Sequence, residues 1–521
     1  MPILNWIGKE AVVNHDKEVP FRLLKKVKSL SYGENSQNLI IHGDNLEALK
    51  ALMPYYQGRI KCIYIDPPYN TGNEGWVYND RVNSPKIKKW LGKVVGSESE
   101  DLCRHDKWLC MMYPRLKLLR ELLSDNGIIF TSIDDNEVSN LRLIMDEIFD
   151  ERNFIAQLVW KKKAGGGSDA KYFANDHEYV LVYAKDEAFQ DRYFIELSEE
   201  MKKDYKYRDE NFEKLGTYKR KNLYQTGIET DRPNLRYAIK CPDGTEVTPP
   251  TIWRWSKETF EIARKEGKID FVKGRNGKWQ IFTKMYLYGD GGEEYMIKPR
   301  SILLDAGLTK DGNNDLKELF GEAKPFSYPK PVRLIEFLLK IGSKDDSLIL
   351  DSFAGSGTTG HAVLNLNKED GGERRFILVE LEDNVAKAVT VDRIKKSIEK
   401  YEYKAGFEYC ELGKPLFNED GQIEQECSFD QLATYIYFTE TNTNIDKKSI
   451  IGTLIGEYDE TEYYLIFKEK GKNILSKEFI KRLPRNNKKR VIYADKCLID
   501  DRTLEKHRIR FKQIPYEVKV Y

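Results

Sequence analysis

Short apolar runs alternate with amphipathic stretches from residue 38 to residue 184, and this rhythm constrains the fold more than any other feature of the chain. Residues 38–44 (NLIIHGD) read as a short buried strand ending at an acid, and Leu46, Leu49, Leu52 and Met53 follow at helical spacing. Residues 60–66 (IKCIYID) make a second strand, cut off by Pro67-Pro68. Trp108, Met111, Met112, Leu116, Leu119 and Leu123 line one face of a helix. Asp125-Asn126-Gly127 then signals a turn before a third strand at 127–134 (GIIFTSID). Leu141, Ile144, Met145 and Ile148 mark a further helix. Strands near 154–160 and 178–183 have no helix between them, which predicts an antiparallel hairpin at the sheet edge. Strands alternating with helices predict an α/β fold with a doubly wound, mostly parallel sheet.

The rhythm stops at about 186. Lys and Arg interleave with aromatics in residues 202–208 (KKDYKYR), 218–221 (YKRK) and 251–257 (TIWRWSK), with no βαβ pattern. It resumes with a helix around 332–340, a strand at 348–351 and another at 375–380. At roughly 150 residues per domain, a chain of 521 residues holds about three or four structural units. The expected division is an N-terminal extension (1–37), a first segment of the α/β domain (38–185), an inserted unit (186–322), a second segment of the same domain (323–402), and a C-terminal α+β unit (403–521).

Lys plus Arg number 85 against 84 for Asp plus Glu, a net charge of +1, so any nucleic-acid binding must rest on charge segregated into patches. The 40% hydrophobic content rules out disorder of the whole chain. No stretch approaches the ~18–20 consecutive apolar residues of a membrane span. The N-terminus lacks a signal-peptide core. Seven scattered cysteines without a C-x-x-C pair read as reduced thiols, and the six histidines show no metal-ligand spacing. A soluble, cytoplasmic protein without a metal is expected.

Two segments carry chemistry. Residues 351–360 (DSFAGSGTTG) follow a strand and precede a helix, where glycines let a ligand approach the backbone and the helix N-terminus faces it. The order fits neither a P-loop nor the dinucleotide G-x-G-x-x-G pattern. Glu380, at the end of the next strand, is placed to bind two ribose hydroxyls, which together with the turn indicates a nucleoside cofactor. The plainer alternative is a tight βα connection beside a strand-end acid. The second segment is Asp66-Pro67-Pro68-Tyr69. Two prolines remove two backbone donors and stiffen a carbonyl-rich corner at a strand's C-terminal end. An Asp carboxylate, an acceptor carbonyl and a phenol ring there suit an exocyclic amine on a heteroaromatic ring, with Tyr69 stacking on its face. Such a base must leave the duplex to reach the corner. The plainer alternative is a Pro-Pro turn with a capping Asp.

Asp66-Pro67-Pro68-Tyr69 together with Phe353-Ala354-Gly355-Ser356-Gly357 resembles the S-adenosylmethionine-dependent amino-methyltransferases of DNA. The order of the two blocks, with a long insertion between them, resembles the β class of N6-adenine DNA methyltransferases. The runs 66–72 (DPPYNTG) and 326–331 (FSYPKP) are similar to the modification (Mod) subunits of type III restriction–modification systems. The resemblance covers roughly residues 35–400. It implies that Asp66, Pro67, Pro68 and Tyr69 form the catalytic corner around target adenine. It assigns Asp44, Lys330, Asp351, Phe353, Ala354, Gly355, Gly357, Thr358 and Glu380 to S-adenosyl-L-methionine. The strands at 348–380 would then lie between and beside the N-terminal strands. The insertion becomes the target-recognition domain, although for any single residue there a solvated surface is the simpler reading. Lys161-Lys162-Lys163 with residues 164–168 (AGGGS) reads as a basic loop at the DNA face or as a linker. The partners implied are double-stranded DNA, a second copy of the chain, and a separate ATP-dependent restriction subunit. The other readings are an orphan adenine methyltransferase, an N4-cytosine methyltransferase (against which Asp at position 66 speaks), and a non-catalytic DNA-binding specificity module.

Overall fold

The computed structural model describes residues 4–33, 37–71, 100–165, 172–225, 232–322, 325–418, 422–424, 426–468 and 472–514. The chain divides into two compact units, residues 1–191 with 300–521, and residues 192–299.

Among the described residues, the first unit is built on a ten-stranded sheet. In chain order its strands are β1 (Arg22–Lys26), β2 (Leu39–His42), β3 (Ile60–Ile65), β4 (Leu123–Ile133), β5 (Phe154–Lys161), β6 (His177–Ala184), β7 (Ile302–Leu303), β8 (Leu348–Asp351), β9 (Arg375–Glu380) and β10 (Glu408–Pro415). Across the sheet the order is β1-β10-β2-β9-β8-β3-β4-β6-β5-β7. From β10 to β4 every neighbouring pair is parallel. The doubly wound sheet expected from the sequence is therefore present, and β8 and β9 lie between and beside the N-terminal strands.

A parallel sheet is covered on both faces, so its strands need to be apolar throughout rather than alternating. β8 and β9 meet that need: Ile349, Leu350, Phe376, Ile377, Leu378 and Val379 are all fully buried. The covering helices include α1 (Asn45–Tyr56), α2 (Glu100–Leu122), α3 (Val138–Phe149), α4 (Thr309–Phe320), α5 (Val332–Gly342), α6 (Thr358–Asp370) and α7 (Asp392–Tyr401). The end of α5 rests its backbone directly on β3 and β4. A Cβ on Gly342 would lie 2.6 Å from Phe130 Cε2 and 3.0 Å from Cys62 Sγ. Cys62 is fully buried, and burial pushes its thiol up to about 12, so it is a core residue and no nucleophile.

Three local expectations change. Asp125-Asn126-Gly127 does not end a helix in a turn; it is absorbed as a bulge in β4, because Ile60 pairs with Leu123 while Cys62 pairs with Ile128. The antiparallel pair β5–β6 exists but is not the edge: β6 inserts beside β4, and β7 pairs with the far side of β5. Residues 300–322, expected in the insertion, fold with the first unit because β7 and α4 belong to it.

The N-terminal residues also join the first unit, with Trp6, Val12 and Val19 buried in its main core and β1 antiparallel to β10. Residues 403–521 begin with β10 in the large sheet and continue into a four-stranded sheet. Its strands are Leu454–Tyr458, Thr461–Leu465, Lys489–Ala494 and Ile509–Gln513. Helix Phe429–Thr441 contributes Leu432 and Ile436 to a core with Ile455 and Leu465.

The second unit holds a three-stranded antiparallel sheet of Tyr218–Asn222, Ile269–Lys273 and Trp279–Tyr286. Helix Lys257–Lys265 packs Phe260 and Ala263 against Trp253, Ile269 and Ile281. Several of its interleaved aromatics are spent internally: Tyr205, Tyr218 and Trp253 are buried, and the Arg220 guanidinium lies 3.8 Å from the Tyr207 ring centre. The unit opens and closes on one bridge, where Ile195 N–H donates to Ile297 C=O at 2.8 Å and the reverse bond measures 2.9 Å. Among the described residues of the whole chain, no helix is long and apolar enough to cross a membrane.

Leu350 is fully buried in the strand that joins the two sequence segments of the sheet. Leu350→Ala should lower the unfolding free energy by about 2–5 kcal/mol, read from urea denaturation of the full chain.

Candidate active site

Parallel α/β sheets bind ligands at the carboxyl ends of their strands. Here that edge gathers Asp66 after β3, Asp134 after β4, the turn 352–357 after β8, and Glu380 at the end of β9. β6 runs antiparallel to β4, so its beginning, not its end, lies on the same edge. That reversal brings in Glu178. β5 is antiparallel to β6, so Lys162, just past its end, returns to the edge as well.

Except for Ser352 and Gly357 of the turn, these residues line one cavity of about 620 Å³. Asp66, Pro67, Pro68 and Tyr69 line it together with Lys330, Asp351, Phe353, Ala354, Gly355, Thr358 and Glu380. Gly357 and Asp44 are not among the lining residues. Gly357 supports the turn from behind: it caps α6 at φ 79°, and a Cβ there would lie 3.1 Å from Thr390 Cγ2. Asp44 caps α1, accepting from Leu46 N–H at 2.9 Å, and its other oxygen takes Arg115 Nη2 at 3.1 Å. Gly72 lies outside the described residues, as do residues 166–168 of the expected basic loop.

The corner after β3 is stiffened as its sequence demands. Pro68 C=O accepts from the indole N–H of fully buried Trp108 at 2.7 Å. Asn70 adopts φ 58°, and its amide donates to Glu137, whose carboxylate also takes His105 Nδ1 at 2.6 Å. Lys330 arrives on the loop before α5 and contacts both Asp66 carboxylate oxygens at 2.8 and 2.7 Å. Its ammonium is 3.6 Å from Glu178 and 4.9 Å from the Tyr69 ring centre. Tyr69 O–H donates to Glu178 at 3.0 Å, and Lys162 reaches the other Glu178 oxygen at 3.3 Å. Burial pushes the Asp66 carboxyl above its ordinary value despite the Lys330 ammonium beside it. Burial also works against the Lys330 charge, but Asp66 and Glu178 outweigh it and hold the ammonium above its ordinary value.

Hydrogen bonds within the turn after β8 and to its neighbours hold it in place. Phe353 N–H donates to Asp351 at 3.0 Å, Thr359 O–H donates to the second Asp351 oxygen at 2.5 Å, and Gly355 N–H donates to Glu380 at 2.8 Å. Gly355 sits at φ 50°, in the left-handed region, and a Cβ there would crowd the Phe326 ring at 3.1 Å, so glycine suits the position on both counts. Thr358 O–H donates to Lys330 C=O at 3.2 Å, tying this turn to the loop that carries Lys330. Burial pushes both the Asp351 and Glu380 carboxyls up to about 7. Among the described residues, no group of three or more His, Cys, Asp or Glu could hold a metal ion.

Glu178 was not expected in the site from the sequence, and Lys162 was expected only as part of a basic loop at the DNA face or a linker. Glu178 is a lone acid at a strand start, and nothing in the run Lys161-Lys162-Lys163 marks its middle residue for the cavity. The available signal was the expected antiparallel pair at 154–184, whose reversal returns a strand start to the ligand edge.

The sequence profile of a family described as DNA methylase matches residues 60–391. The EcoPI Mod subunit of the type III restriction-modification enzyme of Escherichia phage P1 is 36% identical over 440 residues, covering 74% of this chain and 64% of its own. The StyLTI Mod subunit of Salmonella typhimurium is 35% identical over 387 residues, covering 71% of this chain and 57% of its own. The type II methyltransferase M.KpnI of Klebsiella pneumoniae is 33% identical over 387 residues, covering 70% of this chain and 85% of its own. This chain therefore spans less than two thirds of the length of the two type III relatives.

The two raised carboxyls set a pH dependence. Glu380 and Asp351 hold their protons more tightly folded than unfolded, so each contributes stability fully present below about pH 4 and lost as pH rises to about 7. Between pH 5.5 and 7.0 the ligand-free wild type should lose ~1.5 kcal/mol more than Glu380→Gln, measured by urea unfolding at the two pH values.

Proposed function

The chain belongs to the DNA methylase family, and from that premise we propose that it transfers a methyl group from S-adenosylmethionine to N6 of adenine at a specific site in double-stranded DNA. The observation that carries this reading is the shared cavity: the Asp66-Pro67-Pro68-Tyr69 corner and residues 353–356 of the turn with Glu380 face one space of about 620 Å³.

The residues present fit the cofactor. Glu380 is a buried acid inside the cavity, suited to a ribose diol, and Gly355 lines the same cavity without a side chain, so a ligand can approach the backbone there. Asp351, Phe353, Ala354 and Thr358 complete its walls. Bound there, S-adenosylmethionine supplies an electrophilic methyl on a positive sulfur, to which the N6 lone pair forms the new N–C bond as the C–S bond breaks.

The protein's own task is to make N6 nucleophilic. Adenine's amino lone pair is delocalised into the ring, so the amine reacts only when its N–H groups are drawn out of the ring plane. Asp66 accepts one N–H. Trp108 occupies the Pro68 carbonyl, which leaves the Pro67 carbonyl as the corner's second acceptor. Tyr69, its hydroxyl fixed by Glu178, presents its ring to the extruded base. Asp66 takes the proton that N6 sheds, a role suited to a carboxyl that burial raises. No covalent enzyme intermediate is needed, and catalysis is positioning and polarisation.

Beyond the site, the type III relatives suggest a Mod subunit that works with an ATP-dependent restriction subunit. Duplex DNA as substrate implies a cytoplasmic enzyme. Sequence choice belongs to the inserted unit, and residues 403–521 serve self-association or docking of the restriction subunit.

Asp66→Ala should lower methyl transfer about 10²–10³-fold, the loss typical of deleting one polar contact made in the transition state. S-adenosylmethionine affinity should stay near wild type, because the 353–357 turn and Glu380 are untouched. Labelled methyl transfer to duplex DNA, with calorimetric titration of the cofactor, tests both halves, and near-normal transfer defeats the mechanism.

Exchanging residues 192–299 for the equivalent part of another family member should change which DNA site is methylated and leave cofactor affinity within about twofold. Sequencing with detection of modified adenine reads the outcome. Methylation of the original site by the chimera would locate recognition elsewhere.

A further inference from the structure

The cluster around Asp66 contains a conflict that the reaction has to resolve. Both Asp66 oxygens are already engaged by the Lys330 ammonium, at 2.8 and 2.7 Å. A carboxylate neutralised in this way is a weak acceptor for a neutral amine, because the ammonium withdraws the electron density that would polarise N6–H. Lys330 cannot simply withdraw, since its side chain is only 12% exposed and a buried ammonium without a partner is strongly disfavoured. A second seat exists. Glu178 lies 3.6 Å from the same nitrogen and is itself 12% exposed.

The charges are matched for an exchange. Asp66 and Glu178 supply two negative charges, and Lys330 and Lys162 supply two positive ones, joined by contacts of 2.7, 3.6 and 3.3 Å. Moving Lys330 from one carboxylate to the other alters neither the net charge nor any protonation state. Tyr69 O–H also rests on Glu178, so the same carboxylate fixes the ring that would face the base.

We propose that Glu178 is a positioning residue that takes Lys330 off Asp66 when the target amine docks, so that Asp66 meets N6–H as a free carboxylate. The inference rests on the methyltransferase reading and adds to it the residue that unmasks the acceptor. Glu178 then acts through Lys330, not on the base.

The test is a double-mutant cycle with Glu178→Gln and Lys330→Met in the full chain, using unmethylated plasmid DNA and labelled S-adenosylmethionine in single-turnover transfer. Circular dichroism and titration with S-adenosylhomocysteine check each variant's fold, and Lys330→Gln replaces Lys330→Met if the latter does not fold. In the otherwise wild-type chain, Glu178→Gln should slow transfer at least tenfold at saturating DNA, with little change in the DNA concentration needed for half-saturation. In the Lys330→Met background, which should retain measurable transfer, the same change should cost less than threefold. A carboxylate that merely braces Tyr69 would show its full cost in both backgrounds, and that result overturns the inference. So does a Glu178→Gln rate within twofold of wild type, or a Lys330→Met variant that folds but transfers nothing. Wild type measured alongside separates the two levels: no label on adenine from the wild type overturns the proposed function itself and this inference with it.

Discussion

The hydrogen-bonded ladder between β3 and β8 is the constraint on which the site depends. Ile349 pairs with Cys62 and Leu350 with Ile63, so two stretches far apart in the chain end side by side. The acid after one strand and the turn after the other then share an edge. The Lys330–Asp66 ion pair, between residues 264 apart in sequence, forms only because this register holds. A slip of one residue would turn each side chain of the strand to the opposite face of the sheet. β8 and β9 are buried on both faces, so that slip is resisted by the close packing of their side chains and by the acids Asp351 and Glu380 that end them.

The edge concentrates groups that are unfavourable in a protein interior. Asp66, Asp351 and Glu380 all have carboxyls raised by burial, and each is held by local donors rather than by solvent. Asp351 lines the cavity and also holds the turn, accepting from Phe353 N–H and Thr359 O–H. Glu380 accepts from Gly355 and Glu382 N–H, and both glutamates also line the cavity. Asn70 in the left-handed region is a further local cost, met by the buried Glu137 that receives its amide. Such costs persist where surrounding structure over-determines them, and here they collect around the cavity.

What could be read from the sequence divides along a physical line. Strands β2, β3, β8 and β9 were legible because continuous apolar runs bounded by acids or prolines have few other stable fates. The 353–357 turn and the Pro67-Pro68 corner were legible because each is a contiguous string with its own stereochemistry. The place of Glu178 and Lys162 in the cavity was not, although the run 161–163 had been marked as basic, because it depends on β6 entering antiparallel beside β4, a long-range pairing with no local mark. Lys330 was singled out, but its contacts with Asp66 and Glu178 come from the loop's path over the sheet. Asp44, which the resemblance assigned to cofactor, also has a legible local role: an acid before an apolar helix describes the cap that the structure displays. The turn expected at residues 125–127 became a bulge because the ladder to β3 continues past it.

The bridge between Ile195 and Ile297 has a consequence for how this architecture can vary. Entry to and exit from the second unit form a hydrogen-bonded antiparallel pair, whose Cα atoms in such pairs lie about 5.5 Å apart. A segment of any length or fold can therefore be accommodated between those two points if its own ends arrive at that spacing. The geometric condition at those two points is a single short gap. Two crossovers in the gene, one on each side of the gap, would replace the enclosed sequence wholesale and leave the ladder of β3 and β8 unbroken. Such a chain can change its enclosed fold in one step while the packed sheet stays as it is.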